Sequence, residues 1–132
     1  MRRVDDVMQL VVESINKSFG AKKVLNDINL TVKPSEIICV LGHSGCGKST
    51  LLNLIAGFLK ADSGVLQVDG VDITGPNKSR GVVFQDHALF PWYDVLTNIA
   101  FGLTVQGMPE KEAKVLAEQY LNMIGLKDYA NH

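Results

Sequence analysis

Apolar and polar positions recur with two different periods along this chain, and the changes of period mark its elements. Residues 8–18 are rich in β-branched and apolar side chains and read as a strand. Phe19-Gly20-Ala21-Lys22-Lys23 makes a turn, and residues 24–32 return as a second strand, so an antiparallel pair is expected. Lys33-Pro34-Ser35-Glu36 connects it to Ile37-Ile38-Cys39-Val40-Leu41, a nearly all-apolar run typical of a strand buried on both faces. Helical spacing follows over residues 48–59, with Leu51, Leu52, Leu54, Ile55 and Phe58 on the expected buried side. Asp62-Ser63-Gly64 closes that region, residues 64–68 read as a strand, and Asp69-Gly70 is a strong hairpin signal. A polar loop over residues 74–80 leads to another apolar strand, Gly81-Val82-Val83-Phe84, closed by Gln85. Residues 86–92 show no period and read as a loop.

Two helices complete the pattern. Asp94 is the expected N-cap of a helix over residues 95–106. Gly107 breaks it, and Pro109 suits the first turn of the next helix, where Glu110 and Glu112 complement the dipole. Ala113, Leu116, Ala117, Tyr120, Leu121 and Ile124 form an apolar face at helical spacing. Gly125 is the expected residue just past its end, with Leu126 as apolar partner.

The segment between the apolar run and the first helix carries the chemistry. Gly42-His43-Ser44-Gly45-Cys46-Gly47-Lys48-Ser49-Thr50 is a phosphate-binding loop, G-x-x-x-x-G-K-[ST], in the strand–loop–helix context that this motif needs. Its glycines let the backbone turn tightly and bring a row of N–H donors toward an anion. The helix beginning near Lys48 adds the positive end of its dipole, worth roughly 0.3–2 kcal/mol to a nearby negative charge. In such a loop the lysine, here Lys48, reaches the β- and γ-phosphates, and the hydroxyl of Ser49 ligates Mg²⁺.

Composition narrows the alternatives. With 132 residues, 46% hydrophobic and 20% charged, the chain has the balance of a soluble globular protein and room for one domain or part of a larger one. A net charge of −1 and no basic stripe argue against nucleic-acid binding by charge alone. No apolar run approaches the ~20 residues that span a bilayer, and the charged start has no apolar stretch behind it, so a secretory signal is not expected. Cys39 and Cys46 are expected to be free thiols. His43, His87 and His132 are scattered, which disfavours a metal site made by the protein alone.

With these pieces in order, the chain resembles the first half of an ABC-transporter nucleotide-binding subunit over nearly its whole length. Beyond the phosphate loop, the likeness rests on Asn26-Asp27-Ile28-Asn29-Leu30, Leu51-Leu52-Asn53-Leu54-Ile55-Ala56-Gly57, Asp62-Ser63-Gly64 and Val83-Phe84-Gln85. Asp86-His87-Ala88-Leu89-Phe90-Pro91-Trp92 followed by Asn98-Ile99 is similar to the branch serving nitrate, sulfonate and taurine importers.

The resemblance implies an α/β fold, the N-terminal portion of a P-loop NTPase with an antiparallel β subdomain. Strands and phosphate-loop core would occupy about residues 8–92, and the start of a helical subdomain about 93–132. It implies ATP and Mg²⁺ as ligands. Gly42, His43, Ser44, Gly45, Cys46, Gly47, Lys48, Ser49 and Thr50 would hold the nucleotide, Phe19 would stack on adenine where the family more often has Tyr, and Ser49 and Gln85 would serve the metal. Gln85 and Lys48 are the implied catalytic residues. His43 stands where many members have Pro, and Ser35 replaces a usual Gly in the turn before Glu36.

The implied partners are transmembrane permease subunits, meeting the surface that follows Gln85, a second ATP-binding subunit in a head-to-tail dimer, and indirectly a solute-binding protein. The implied location is cytoplasmic, peripheral on the inner face of the membrane. An apolar strand ending in Asp-Glu, which such ATPases use to order Mg²⁺ and polarise water, is missing. Residues 65–69 and 82–86 are poor substitutes, because Gln67 interrupts the first and no second carboxylate follows Asp86. No Leu-Ser-Gly-Gly-Gln-like segment occurs before His132, so the 132 residues alone are expected to bind nucleotide without turning it over. A different P-loop enzyme stays open as an alternative, although no Asn/Thr-Lys-x-Asp guanine motif is present. Trp92 reads equally as a membrane-partner contact or as a packed surface aromatic.

Overall fold

A computed structural model describes residues 9–85 and 88–132 of the chain. They fall into two compact units, one within Met1–Val83 and one within Phe84–His132. The first part of the expected opening strand, up to Met8, and Asp86 and His87 of the expected loop lie outside the described residues.

The first unit is built on an antiparallel sheet in the order β2-β1-β3-β4, with β1 Leu10–Phe19, β2 Lys22–Val32, β3 Ser63–Val68 and β4 Val71–Asp72. Strand β1 is central: Val12 pairs with Leu30 on one side and Leu66 on the other. Val12 and Ile15, three residues apart, would face opposite sides of a regular strand, yet both are buried. A bulge resolves this. The register shifts between them, Ser14 takes φ 48°, and its amide donates to Asn29 Oδ1 at 2.8 Å. The extra residue returns Ile15 to the core face, where Val12, Ile15, Leu25 and Leu66 pack with Leu51 and Leu54 of the helix α1, Lys48–Ala56.

Two expected features of α1 are corrected. It ends at Ala56, three residues early, because Gly57 turns left-handed at φ 85° and presses against the backbone of Gly75, where no Cβ would fit. The amides of Phe58 and Leu59 then close on the Asn53 carbonyl. Leu52 and Phe58 are exposed, so the buried side is narrower than the periodicity implies. The Asp-Gly hairpin forms as its sequence predicts, with Asp69 and Gly70 both left-handed and Val68 paired with Val71.

The apolar runs 37–41 and 81–84 depart most from expectation. Neither belongs to a sheet among the described residues, and Ile37, Leu41 and Val83 are about nine-tenths or more exposed. Cys39, expected inside, is exposed as well. A buried parallel strand needs hydrogen-bonding neighbours as well as covering helices, and these two runs do not pair with each other.

The second unit contains α2, Val95–Val105, and α3, Glu110–Met123, packed through Ala100, Ala113 and Ala117. Alanines at the contact let the two backbones approach closely. Asp94 caps α2 as expected, its Oδ1 accepting the Thr97 amide at 2.7 Å. The amides of Val95 and Leu96 donate to the carbonyls of His132 and Ala130, which tether the short helix η1, Lys127–Tyr129, to the start of α2. Helix α3 closes with Gly125 left-handed and the Leu126 amide on the Leu121 carbonyl at 2.8 Å. Its buried stripe is Ala113, Ala117 and Leu121. Tyr120 and Ile124, expected on that face, are exposed.

Candidate functional site

The loop joining residue 41 to α1 owes its shape to its glycines. Gly47 is the residue before the helix and has φ 104°, a left-handed conformation costly for any side chain. Its neighbours exclude a side chain too: a Cβ there would lie 2.8 Å from Leu25 Cδ2 and 3.2 Å from the Val24 carbonyl. A Cβ at Gly42 would lie 2.6 Å from Cys46 Sγ. The loop is therefore folded on itself and seated on β2.

Lys48 turns back over this loop. Its ammonium donates to the carbonyls of Gly42 and His43, both at 2.8 Å, with Cys46 Sγ at 3.8 Å. A half-buried cation is thus held at the loop by backbone oxygens that it can exchange for those of an anion. No side chain caps α1, and its first turn carries no acidic residue. The helix start is consequently open to a negative ligand from both backbone and dipole. Ser49 is exposed and Thr50 half-buried in the first turn, and exposed His43 folds its Nδ1 toward the Ser44 carbonyl at 2.9 Å. The donor set of amides, one ammonium and one hydroxyl fits a polyphosphate with its cation. Among the described residues no cluster of histidine, cysteine and carboxylate side chains could hold a metal by itself.

The remaining candidates lie apart from the loop in sequence. Phe19 ends β1 with its ring half exposed, in the same unit as the loop. Gln85 is exposed and belongs to the second unit. Sequence reasoning passed over the support beneath Phe19. Asp62 accepts the Lys17 ammonium at 2.8 Å and the Ser18 amide at 2.7 Å, and these hydrogen bonds hold its carboxyl below the ordinary range. The Lys17 ammonium in turn stands over the Phe19 ring, 5.6 Å from its centroid. No local signal marks a pair separated by 45 residues.

Asn98 has a comparable role in the second unit. Its side chain receives the Phe90 amide at 2.8 Å and donates to the carbonyls of Phe90, Tyr93 and Asp94 at 3.0–3.1 Å. That locks a turn bearing the rings of Phe90, Trp92 and Tyr93, packed in tilted and edge-on contacts, with Trp92 72% exposed. Trp92 is thus an exposed ring that also packs on its neighbours.

A phosphate-loop nucleotide-binding fold of the ABC type accounts for this combination of antiparallel sheet, loop and helices, and residues 25–132 match the ABC transporter family. The chain belongs to that family. It is 47% identical to the taurine import ATP-binding protein TauB of Pseudomonas aeruginosa over 126 residues, 92% of this chain and 48% of that protein. The TauB protein of Yersinia pestis is 42% identical over 123 residues, 93% of this chain and 48% of the relative. Among solved structures, cbiO1 of Clostridium perfringens, part of the ABC transporter complex cbiONQ, superposes with a TM-score of 0.75 at 31% identity. That match covers 92% of this chain and 52% of cbiO1. The chain spans about half the length of the relatives it matches. Among the described residues no helix is long and apolar enough to cross a membrane.

Proposed function

We propose that this chain is the N-terminal part of the ATP-binding subunit of an ABC importer for a small anion such as nitrate, sulfonate or taurine. The observation that carries the reading is the Lys48 ammonium folded onto the Gly42 and His43 carbonyls beside an uncapped helix start. The similarity to taurine import subunits supports the anion class.

In this reading the amides of residues 42–49 and the Lys48 ammonium bind the polyphosphate of ATP, and Phe19 stacks on the adenine. Ser49 would hold Mg²⁺, which would neutralise phosphate charge when bound. Gly45 and Gly47 supply the left-handed backbone the loop needs, and Gly42 leaves room for Cys46 Sγ. Thr50 continues the first turn behind it. Gln85 couples the nucleotide site to permease subunits, which meet the surface following it in the second unit. A second ATP-binding subunit pairs head to tail with the first, and a solute-binding protein delivers the anion. The complete protein then works peripherally on the cytoplasmic face of the membrane.

The 132 residues bind nucleotide but do not hydrolyse it, because the acidic strand and the dimer motif of the family are not in the sequence. Measuring Mg-ATP binding and phosphate release side by side tests this. Saturable binding with release at the rate of a protein-free control is expected. Sustained release by the isolated chain would overturn the division of labour.

A further inference from the structure

Phe19 has little to fix it by itself: it ends a strand, it is half exposed, and Gly20 follows it. What holds it is the Asp62 carboxylate, whose two oxygens bind consecutive residues of β1, the Lys17 ammonium and the Ser18 amide. Asp62 belongs to the short connection between α1 and β3, and its own amide donates to the Asn16 carbonyl at 2.9 Å. Helix α1 begins at the phosphate loop. One residue thus ties the connection that follows the phosphate-loop helix to the end of the strand that carries the ring.

The Lys17 side chain is only 16% exposed, so its ammonium is confined by this pairing. It stands over the Phe19 ring and covers one of its faces. A planar base can then stack only on the other face. The cation also draws on the ring's π-density, fixing its orientation.

We propose that Lys17 and Asp62 are positioning residues for the nucleotide base. They hold the Phe19 ring with one face covered by the ammonium, so that the opposite face is the adenine platform. The inference rests on the reading of Phe19 as the base-stacking residue. Asp62 acts through Lys17 and Ser18.

Comparing ATP with inorganic tripolyphosphate separates base from phosphate binding, with affinities measured by titration on the full chain. Lys17→Met and Asp62→Asn should each weaken ATP about three- to tenfold and leave tripolyphosphate unchanged, the scale of a lost cation–ring contact and an impaired base stack. Lys17→Arg, which keeps the cation, should restore ATP affinity. In a Phe19→Ala background, Lys17→Met should have no further effect. Should Asp62→Asn fail to fold, the Lys17 variants carry the comparison alone. Equal losses for ATP and tripolyphosphate would overturn the inference, since they make Lys17 a phosphate contact or a general support. Wild type binding both ligands equally would also overturn it while leaving the phosphate loop standing. Wild type binding neither would remove the nucleotide-site reading and this inference with it.

Discussion

Gly47 rests against Leu25, and this contact joins the phosphate loop to the core. Leu25 is buried in the sheet–helix cluster, and a Cβ on Gly47 would approach its Cδ2 to 2.8 Å. Together with φ 104°, this makes Gly47→Ala strained twice over. Thermal or urea unfolding should show a loss of about 2 kcal/mol or more. A variant as stable as wild type would show that the loop is not seated on β2 as described.

The opposite sign is expected one turn earlier. Ser35 adopts φ 59° in the turn where the Glu36 amide donates to the Lys33 carbonyl and Glu36 Oε2 accepts the Lys33 amide. A left-handed non-glycine residue costs roughly 1–2 kcal/mol, partly offset by the greater unfolded-state freedom of glycine. Ser35→Gly should therefore raise stability by about 0.5–1 kcal/mol in the same unfolding measurement. Unchanged or lower stability would contradict the strain.

Asp94 gives a pH prediction. Hydrogen bonding from Thr97, side chain and amide, holds its carboxyl below the usual range. A depressed folded-state value means that its stabilisation is complete above the unfolded carboxylate pKa of about 3.9 and is lost as pH falls through the folded value. Asp94→Ala should lower the melting temperature of the helical unit at pH 7, and the gap to wild type should narrow below about pH 4. A gap independent of pH would mean that the ionised carboxylate is not the cap.

Asn98 should govern the mobility of Trp92, the chain's one tryptophan. Asn98→Ala removes the four hydrogen bonds that close the turn from Phe90 to Asp94. The fluorescence anisotropy of Trp92 should fall, and stability should drop by about 1–3 kcal/mol because the part-buried backbone groups lose partners. An unaltered anisotropy would show that ring packing alone fixes the turn.

The exposed apolar runs have a solution consequence. Beside Val82 and Val83 lies an apolar groove of about 720 Å³ that includes Leu10, Leu52, Ile55 and Val68. With Ile37 and Leu41 also exposed, the 132-residue chain should bind a hydrophobic dye and self-associate with rising concentration. A monodisperse monomer with no dye binding would contradict this.

These particulars show which levels of structure were legible in the residues. Asp94, Asp69-Gly70 and Gly125 announce themselves because caps and tight turns are decided by one or two local side chains. The phosphate loop is legible for the same reason: Gly47 and Lys48 act within six residues of each other and of Gly42. Pairings across distance are not. The bulge that places both Val12 and Ile15 in the core depends on Asn29, and the support of Phe19 depends on Asp62. Residues 37–41 mislead most, because apolarity states a preference for burial and cannot supply the neighbouring strands. Tyr120 and Phe58 err similarly, since helical spacing defines a face but not how wide a cover it meets.

Equilibrium titration of Mg-ATP into wild type and Lys48→Ala bears most directly on the nucleotide site. Saturable binding by wild type is expected, weakened tenfold or more in the variant, as befits loss of charge-assisted hydrogen bonds worth about 1.5–3 kcal/mol. Equal affinity of the two proteins would contradict a phosphate cradle built on Lys48.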